Sequence, residues 1–221
     1  MHKKINSTSH QTRHTIATFQ ALVDAMIPRT PQLAQKFGRI QEIGALDLHV
    51  DQYMIWVLDH MLTIQGDFSL RRVMLSEPTA ELLDAGAVQL VAAGGAKQAD
   101  DELNFPGGGA FSRLSRSDRF RAMYLLESLN IDLGYLPPPY QYNAGLVQFV
   151  VDTLNRLVMF GFYSEWPGYG TTRLAPPGMR RLEVFPVAWL QTGYPGPSLG
   201  YRQLRGFLLK FPHRKRDAHD A

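Results

Sequence analysis

Apolar residues return at three- and four-residue steps in five stretches of the chain, the period of a helix with one buried face. The first runs from Thr15 to Ile27, with Ile16, Phe19, Leu22, Val23, Met26 and Ile27 on its stripe. Pro28 ends it, because proline disfavours helical backbone in the residue before it. The second enters through Gly44-Ala45-Leu46-Asp47 and spans about Leu48 to Ile64, with Val50, Met54, Val57, Leu58, Met61 and Leu62 aligned and Gly66 as the stop. Ser76-Glu77-Pro78 opens the third, where Ser76 suits an N-cap and Pro78 the first turn. Leu82, Leu83, Leu90 and Val91 carry that stripe to Gly94-Gly95. Ser115 with Asp118 resembles a capping box and starts the fourth helix, predicted to reach Leu133. The fifth, Asn143 to Phe160, has the most regular stripe: Leu146, Val147, Val150, Val151, Leu154, Leu157 and Val158. Residues 32–43 have room for one or two further helical turns.

Beyond the fifth stripe the pattern changes. Gly161 to Gly170 holds three glycines, one proline and four aromatics, which predicts a shaped loop rather than a regular element. Leu182 to Leu190 is expected to be extended or irregular, because Pro186 interrupts a helix or a ladder. A second shaped loop runs from Gly193 to Tyr201, and Arg202 to Phe211 reads as a last short helix or strand. No hairpin pattern or internal repeat is visible. The fold class is mainly α: a compact domain of about five main helices over residues 15–211, with a long irregular C-terminal third. Residues 1–14 read as a mobile arm and 212–221 as a charged tail.

Composition narrows the function classes. Net charge over 221 residues is +3, and it collects at the ends, in His2-Lys3-Lys4 and His213-Arg214-Lys215-Arg216. No basic stripe marks a folded face, so nucleic-acid binding is not expected. There is no cysteine, which excludes disulfides, thiolate-held zinc, iron–sulfur clusters and a thiol nucleophile. The first residues show neither an apolar signal core nor a twin arginine, and no run of about 18 apolar residues occurs. The expectation is a cytoplasmic protein without direct membrane insertion.

Candidate chemistry is sparse. Pro106-Gly-Gly-Gly109 lacks the Lys-Ser/Thr of a phosphate loop and the strand-to-helix setting of a dinucleotide turn. His49 and His60 share one side of a helix but lie about 16 Å apart along it, too far for one metal ion. Asp47 and Asp51 fit the first turn of a helix, where acids complement the dipole. Asp152 and Glu165 show no sign of a glycosidase pair, and Ser164 has no nucleophile-elbow context. No catalytic, cofactor-binding or metal residue is expected in this chain. The residues suited to contact are aromatics and one arginine on the loops: Phe162, Tyr163, Trp166, Tyr169, Arg173, Tyr194 and Tyr201. Trp, Tyr and Arg dominate interface hot spots, although the same aromatics also serve to pin a loop onto its own core.

Several short motifs in order resemble the gluconate 2-dehydrogenase subunit 3 family. They are Ile27-Pro28, Gly44-Ala45, Val50-Asp51-x-Tyr53, Phe111-x-x-Leu114-Ser115, the Gly161 to Gly170 loop, Tyr194-Pro-Gly-Pro197 and Gly200-Tyr201. The resemblance implies a small helical subunit without its own cofactor. Its partner would be a large FAD-carrying dehydrogenase of the glucose–methanol–choline type, acting on a sugar or polyol, which the small subunit stabilises or chaperones. Many members of the family begin with a twin-arginine signal, and this chain does not. Two other readings stay open from the residues alone. One is a stand-alone carbohydrate enzyme that stacks sugar on the aromatic loops. The other is a helical interaction module with no oxidoreductase partner.

Overall fold

A computed structural model describes residues 12–62, 64–65, 72–96 and 105–196. Seven α-helices appear among them: α1 (Arg13–Met26), α2 (Ala34–Phe37), α3 (Val50–His60), α4 (Ser76–Ala92), α5 (Arg116–Glu127), α6 (Ala144–Tyr163) and α7 (Val187–Thr192). Short 3-10 turns join several of them. One antiparallel pair of two-residue strands, β1 (Ile64–Gln65) and β2 (Arg72–Val73), follows α3. The chain is mainly α, with the five predicted helices as α1, α3, α4, α5 and α6.

Side chains cap three of these helices in the way their sequences suggest. Thr12 Oγ1 accepts from the Thr15 N–H at 3.2 Å and opens α1. Ser115 Oγ accepts from the Asp118 N–H at 3.2 Å, and its hydroxyl donates to Asp118 Oδ2 at 3.0 Å. Asn143 Oδ1 accepts from the Leu146 N–H and starts α6. Each satisfies a donor that the first turn cannot pair internally. Ser76 behaves differently from the expectation. It is the first helical residue of α4, and its N–H and hydroxyl both donate to the Asp59 carboxylate, at 3.0 and 2.9 Å. A cap in cis is replaced by a tie from α3.

α1 is the centre of the assembly and packs against α3, α4, α5 and α6. Phe19, Ala21, Leu22 and Val23 are fully enclosed. Val147, Val150, Leu154 and Val158 of α6 are also fully enclosed, and α6 lies mainly against α3 and α5. By length and apolar character α6 is the one described helix that could reach across a bilayer; here its apolar stripe is spent on the core.

A polar knot joins α1 to α5. The Asp24 carboxylate takes two hydrogen bonds from Arg116, both 2.9 Å, and a longer one from Arg119 at 3.4 Å. Arg119 also donates to the carbonyls of Ala21 and Ser112. Asp24 and Arg119 are buried, so their charges rely on this pairing. On the other side of α1, His14 contacts Asp84 of α4, whose second oxygen accepts from the Phe111 N–H at 2.8 Å. Arg13 and His14 thus belong to α1 and not to the predicted arm.

Helix ends depart from the sequence expectations for identifiable reasons. α3 stops at His60, short of Ile64, and residues 64–65 pair with β2 instead. α5 stops at Glu127, because Leu129 takes left-handed backbone (φ 56°). α6 continues through Gly161 to Tyr163. A Cβ at Gly161 would stand 2.7 Å from Tyr53 Cδ1 and 2.8 Å from Val50 Cγ1. Gly161 is therefore a packing residue that lets α3 and α6 close on each other, not the start of a loop. Pro186 does not break its segment either. It precedes the first turn of α7, where a missing N–H costs nothing.

Candidate functional site

The loops after α6 form a small second layer held down by two tryptophans. Trp166 is 2% exposed. Its indole N–H donates to the His49 carbonyl at 2.9 Å, just before the first turn of α3, where His49 itself has left-handed backbone (φ 53°). The Trp166 ring meets Tyr53 edge-on at 5.3 Å and lies tilted to Trp56 at 6.3 Å. Trp189 of α7 is 5% exposed, and its indole N–H donates to the Tyr163 carbonyl at 2.9 Å. That bond ties α7 to the end of α6.

Between these anchors, Arg180 closes an aromatic cage. Its guanidinium lies 4.1 Å from the Trp56 ring centre, 5.1 Å from Trp166 and 5.9 Å from Tyr169. The electron-rich ring faces attract the cation. Burial lowers the Arg180 pKa, with the Tyr169 side chain opposing that trend. The Tyr169 hydroxyl donates to Glu165 at 3.0 Å, and its pKa is pushed up to about 12 by burial first and by Glu165 next.

A second tie fixes the loop to itself. A Cβ on Gly168 would come within 2.6 Å of the Val184 carbonyl, so only glycine lets the two backbones meet. The Gly168 carbonyl accepts from the N–H groups of Glu183 and Val184 at 2.8 and 3.0 Å. Glu183 returns the contact by accepting from the Thr171 hydroxyl and N–H, both 2.7 Å. Those bonds lower its pKa, the hydroxyl contributing most. Asp51, buried under the layer in the first turn of α3, has a raised pKa because burial penalises its charge. Arg173 feels both Asp51 and Glu183, yet its own pKa is lowered by burial.

The contact residues picked from sequence are divided by this geometry. Phe162 and Trp166 are buried in the chain's own interior, which corrects the expectation that they face a partner. Tyr169 and Arg173 are half-buried in the cage and its flank; Arg173 reaches the carbonyls of Trp166 and Pro167. Tyr163 and Tyr194 are exposed. Tyr201 lies outside the described residues. Sequence reading missed Trp56, Arg180 and Trp189, and it passed over the exposed apolar side chains beside them: Leu182, Val184, Phe185 and Leu190. Arg180 carried no signal, since a lone loop arginine reads as solvated surface. Trp189 carried one, an aromatic three positions after Pro186, but without the helix it had no assignable face.

Several polar groups of this layer are occupied by structural bonds, while one terminal nitrogen of Arg180 is buried against the rings without a hydrogen-bond partner. Glu165 accepts from Tyr169, Glu183 from Thr171, Asp47 from the Gly44 N–H, and His60 Nδ1 lies 2.9 Å from the Trp56 carbonyl. Outward, the layer presents large apolar side chains between the exposed Arg181, Glu183 and Gln191. Leu190 of α7 borders a groove of about 390 Å³ with Val187, Gln191, Arg39, Ile40, Glu42 and Ile43. Phe185 meets Trp189 edge-on, and Trp189 meets Tyr194 edge-on, with centres 5.5 and 4.9 Å apart. No family model, curated protein or solved structure matches the chain. The geometry and the sequence resemblance are therefore what a functional reading rests on.

Proposed function

We propose that this chain is a non-catalytic helical subunit that docks through its C-terminal layer onto a large FAD-dependent sugar or polyol dehydrogenase and stabilises it. The observation that carries the reading is the character of that layer. Leu182, Val184, Phe185, Leu190 and Tyr194 stand exposed on the loops and on α7, which Trp166, Trp189 and the Arg180 cage hold in place. Apolar groups presented on a preordered backbone bind without a large ordering cost, and a group of exposed large apolar side chains favours an interaction site. The family resemblance, whose motifs include the Gly161 to Gly170 loop and Tyr194-Pro-Gly-Pro197, supplies the partner class. FAD would belong to that partner.

The test is co-expression of the tagged chain with the flavoprotein encoded nearest to it. The two should co-purify in a fixed ratio, with flavin absorbance and sugar- or polyol-dependent dye reduction in the complex. Leu190→Asp should weaken the complex while leaving the melting temperature of the isolated chain unchanged. Sugar turnover by the isolated chain, or a flavoprotein fully stable and active without it and unable to bind it, would overturn the proposal.

A further inference from the structure

The walls of the Arg180 cage are each held by ties that do not use the arginine. Trp166 is fixed by the bond from its indole N–H to the His49 carbonyl at 2.9 Å and by the edge-on contact with Tyr53. Trp56 belongs to α3, and the His60 ring stacks on it with centres 5.3 Å apart and planes 14° from parallel. Tyr169 is held by its hydroxyl bond to Glu165 at 3.0 Å. Three ring faces set around one point in advance attract a cation with little ordering cost.

Arg180 fits that setting incompletely. Its Nε donates to the Ala175 carbonyl at 3.0 Å, within its own loop. One terminal nitrogen is buried and has no hydrogen-bond partner, and Arg180 forms no ion pair among the described residues. A guanidinium carries five N–H donors, and a buried donor left unpaired is costly. The rings attract the positive charge but offer that nitrogen no acceptor. A cation without N–H donors forfeits nothing in the same place, and a quaternary ammonium group is such a cation. The way out for Arg180 is short. It lies at the base of a loop closed by Thr172, whose Oγ1 accepts from the Arg181 N–H at 3.0 Å and donates to the Arg181 carbonyl at 3.1 Å. Arg180 is half-buried, and Pro176, Pro177, Gly178 and Met179 before it are exposed. The side chain can swing into solvent about its own bonds while the base of the loop stays closed.

We propose that Trp56, Trp166 and Tyr169 form a binding site for a quaternary ammonium group, and that Arg180 is its resident occupant, displaced as the ligand enters. The inference holds whatever partner docks on the C-terminal layer.

The chain has three tryptophans; two line the cage, and Trp189 lies outside it as an internal control. Tetramethylammonium chloride is titrated into the full chain at constant ionic strength and followed by the indole N–H signals in NMR. Saturable shifts of Trp56 and Trp166 are expected, with Trp189 unmoved. Arg180→Ala empties the cage, and because apparent affinity scales with the fraction of sites standing open, binding should tighten about tenfold or more. Arg180→Gln, which drops the charge and keeps a stem, carries this arm where circular dichroism shows Arg180→Ala unfolded. Tyr169→Leu in the emptied cage should weaken binding about threefold or more. Guanidinium chloride at the same concentration should bind more weakly because of its unpaired donors, and tert-butanol more weakly because it has no charge. Glycine betaine and an acetylated trimethyllysine amide then distinguish a free solute from a modified side chain as the source of the group. No saturable shift in the unsubstituted chain, an emptied cage that binds no tighter, tert-butanol binding as well as tetramethylammonium, or failure of both trimethylated compounds to compete with it would each overturn the proposal.

Discussion

Trp166→Ala probes whether the loop layer is part of the core or an open contact surface. Truncation removes a side chain that is 2% exposed, its edge-on contact with Tyr53 and one wall of the Arg180 cage. It also leaves the His49 carbonyl without its indole donor. Buried Trp→Ala changes cost about 3–5 kcal/mol. For a chain of this size each kcal/mol lowers the melting temperature by about 2–4 °C, so a fall of roughly 6–20 °C is expected. Trp166→Phe keeps an aromatic in place but deletes the donor, and should cost about 1–3 kcal/mol. The cage adds a coupling that a double-mutant cycle of Trp56→Ala with Trp166→Ala can read, about 0.5–1.5 kcal/mol for an aromatic pair. Thermal unfolding of the isolated chain by circular dichroism is the assay, paired with co-purification of the flavoprotein. A shift in the melting temperature under about 2 °C, together with a complex weakened by 2 kcal/mol or more, about thirtyfold in affinity, would refute the burial argument. Trp166 would then be a contact residue.

Three further outcomes follow from the same geometry. Asp24→Ala takes the carboxylate away from two guanidiniums in a buried knot and should cost about 3–5 kcal/mol in denaturant unfolding; Arg39→Ala, which breaks an exposed pair with Glu42, should cost about 0–1 kcal/mol. Gly145→Ala meets nothing within 4 Å and should stabilise the chain by up to about 1 kcal/mol, while Gly161→Ala in the same helix should destabilise it by about 1 kcal/mol or more, because overpacking exceeds the propensity gain; equal shifts in melting temperature would show that Gly161 does not set the approach of α3 to α6. Asp51 has a folded pKa raised above 3.8 by burial, so the folded state holds its proton more tightly and its contribution falls as pH rises from 3.8 through that higher value. Asp51→Asn should therefore melt higher than the unsubstituted chain at neutral pH, with the gap closing below pH 3.8; a gap independent of pH would count against burial as the cause.

Five helices, their order and most of their buried stripes were legible in the sequence, because a helix facing a core repeats its apolar residues with its own period. Val147, Val150, Leu154 and Val158 needed no partner to be recognised as one face. Capping was legible where it is local, at Ser115, and was misassigned at Ser76, whose donors are satisfied by Asp59, seventeen positions away. The same division runs through the candidate site. The sequence by itself determined that residues 164–196 would be shaped by glycine, proline and aromatics, since those residue types restrict or free the backbone wherever they stand. Tertiary structure alone decided which aromatics turn inward. Trp166 is buried because the His49 carbonyl, 117 positions earlier, and the rings of Tyr53 and Trp56 meet it there. Gly161 stands inside α6 as a packing residue because Tyr53 and Val50 occupy the space a side chain would need. Arg180 is a cage plug because three rings from two distant segments converge on it. Such assignments depend on contacts between residues far apart in sequence, and periodicity and composition carry no information about which distant segments will meet.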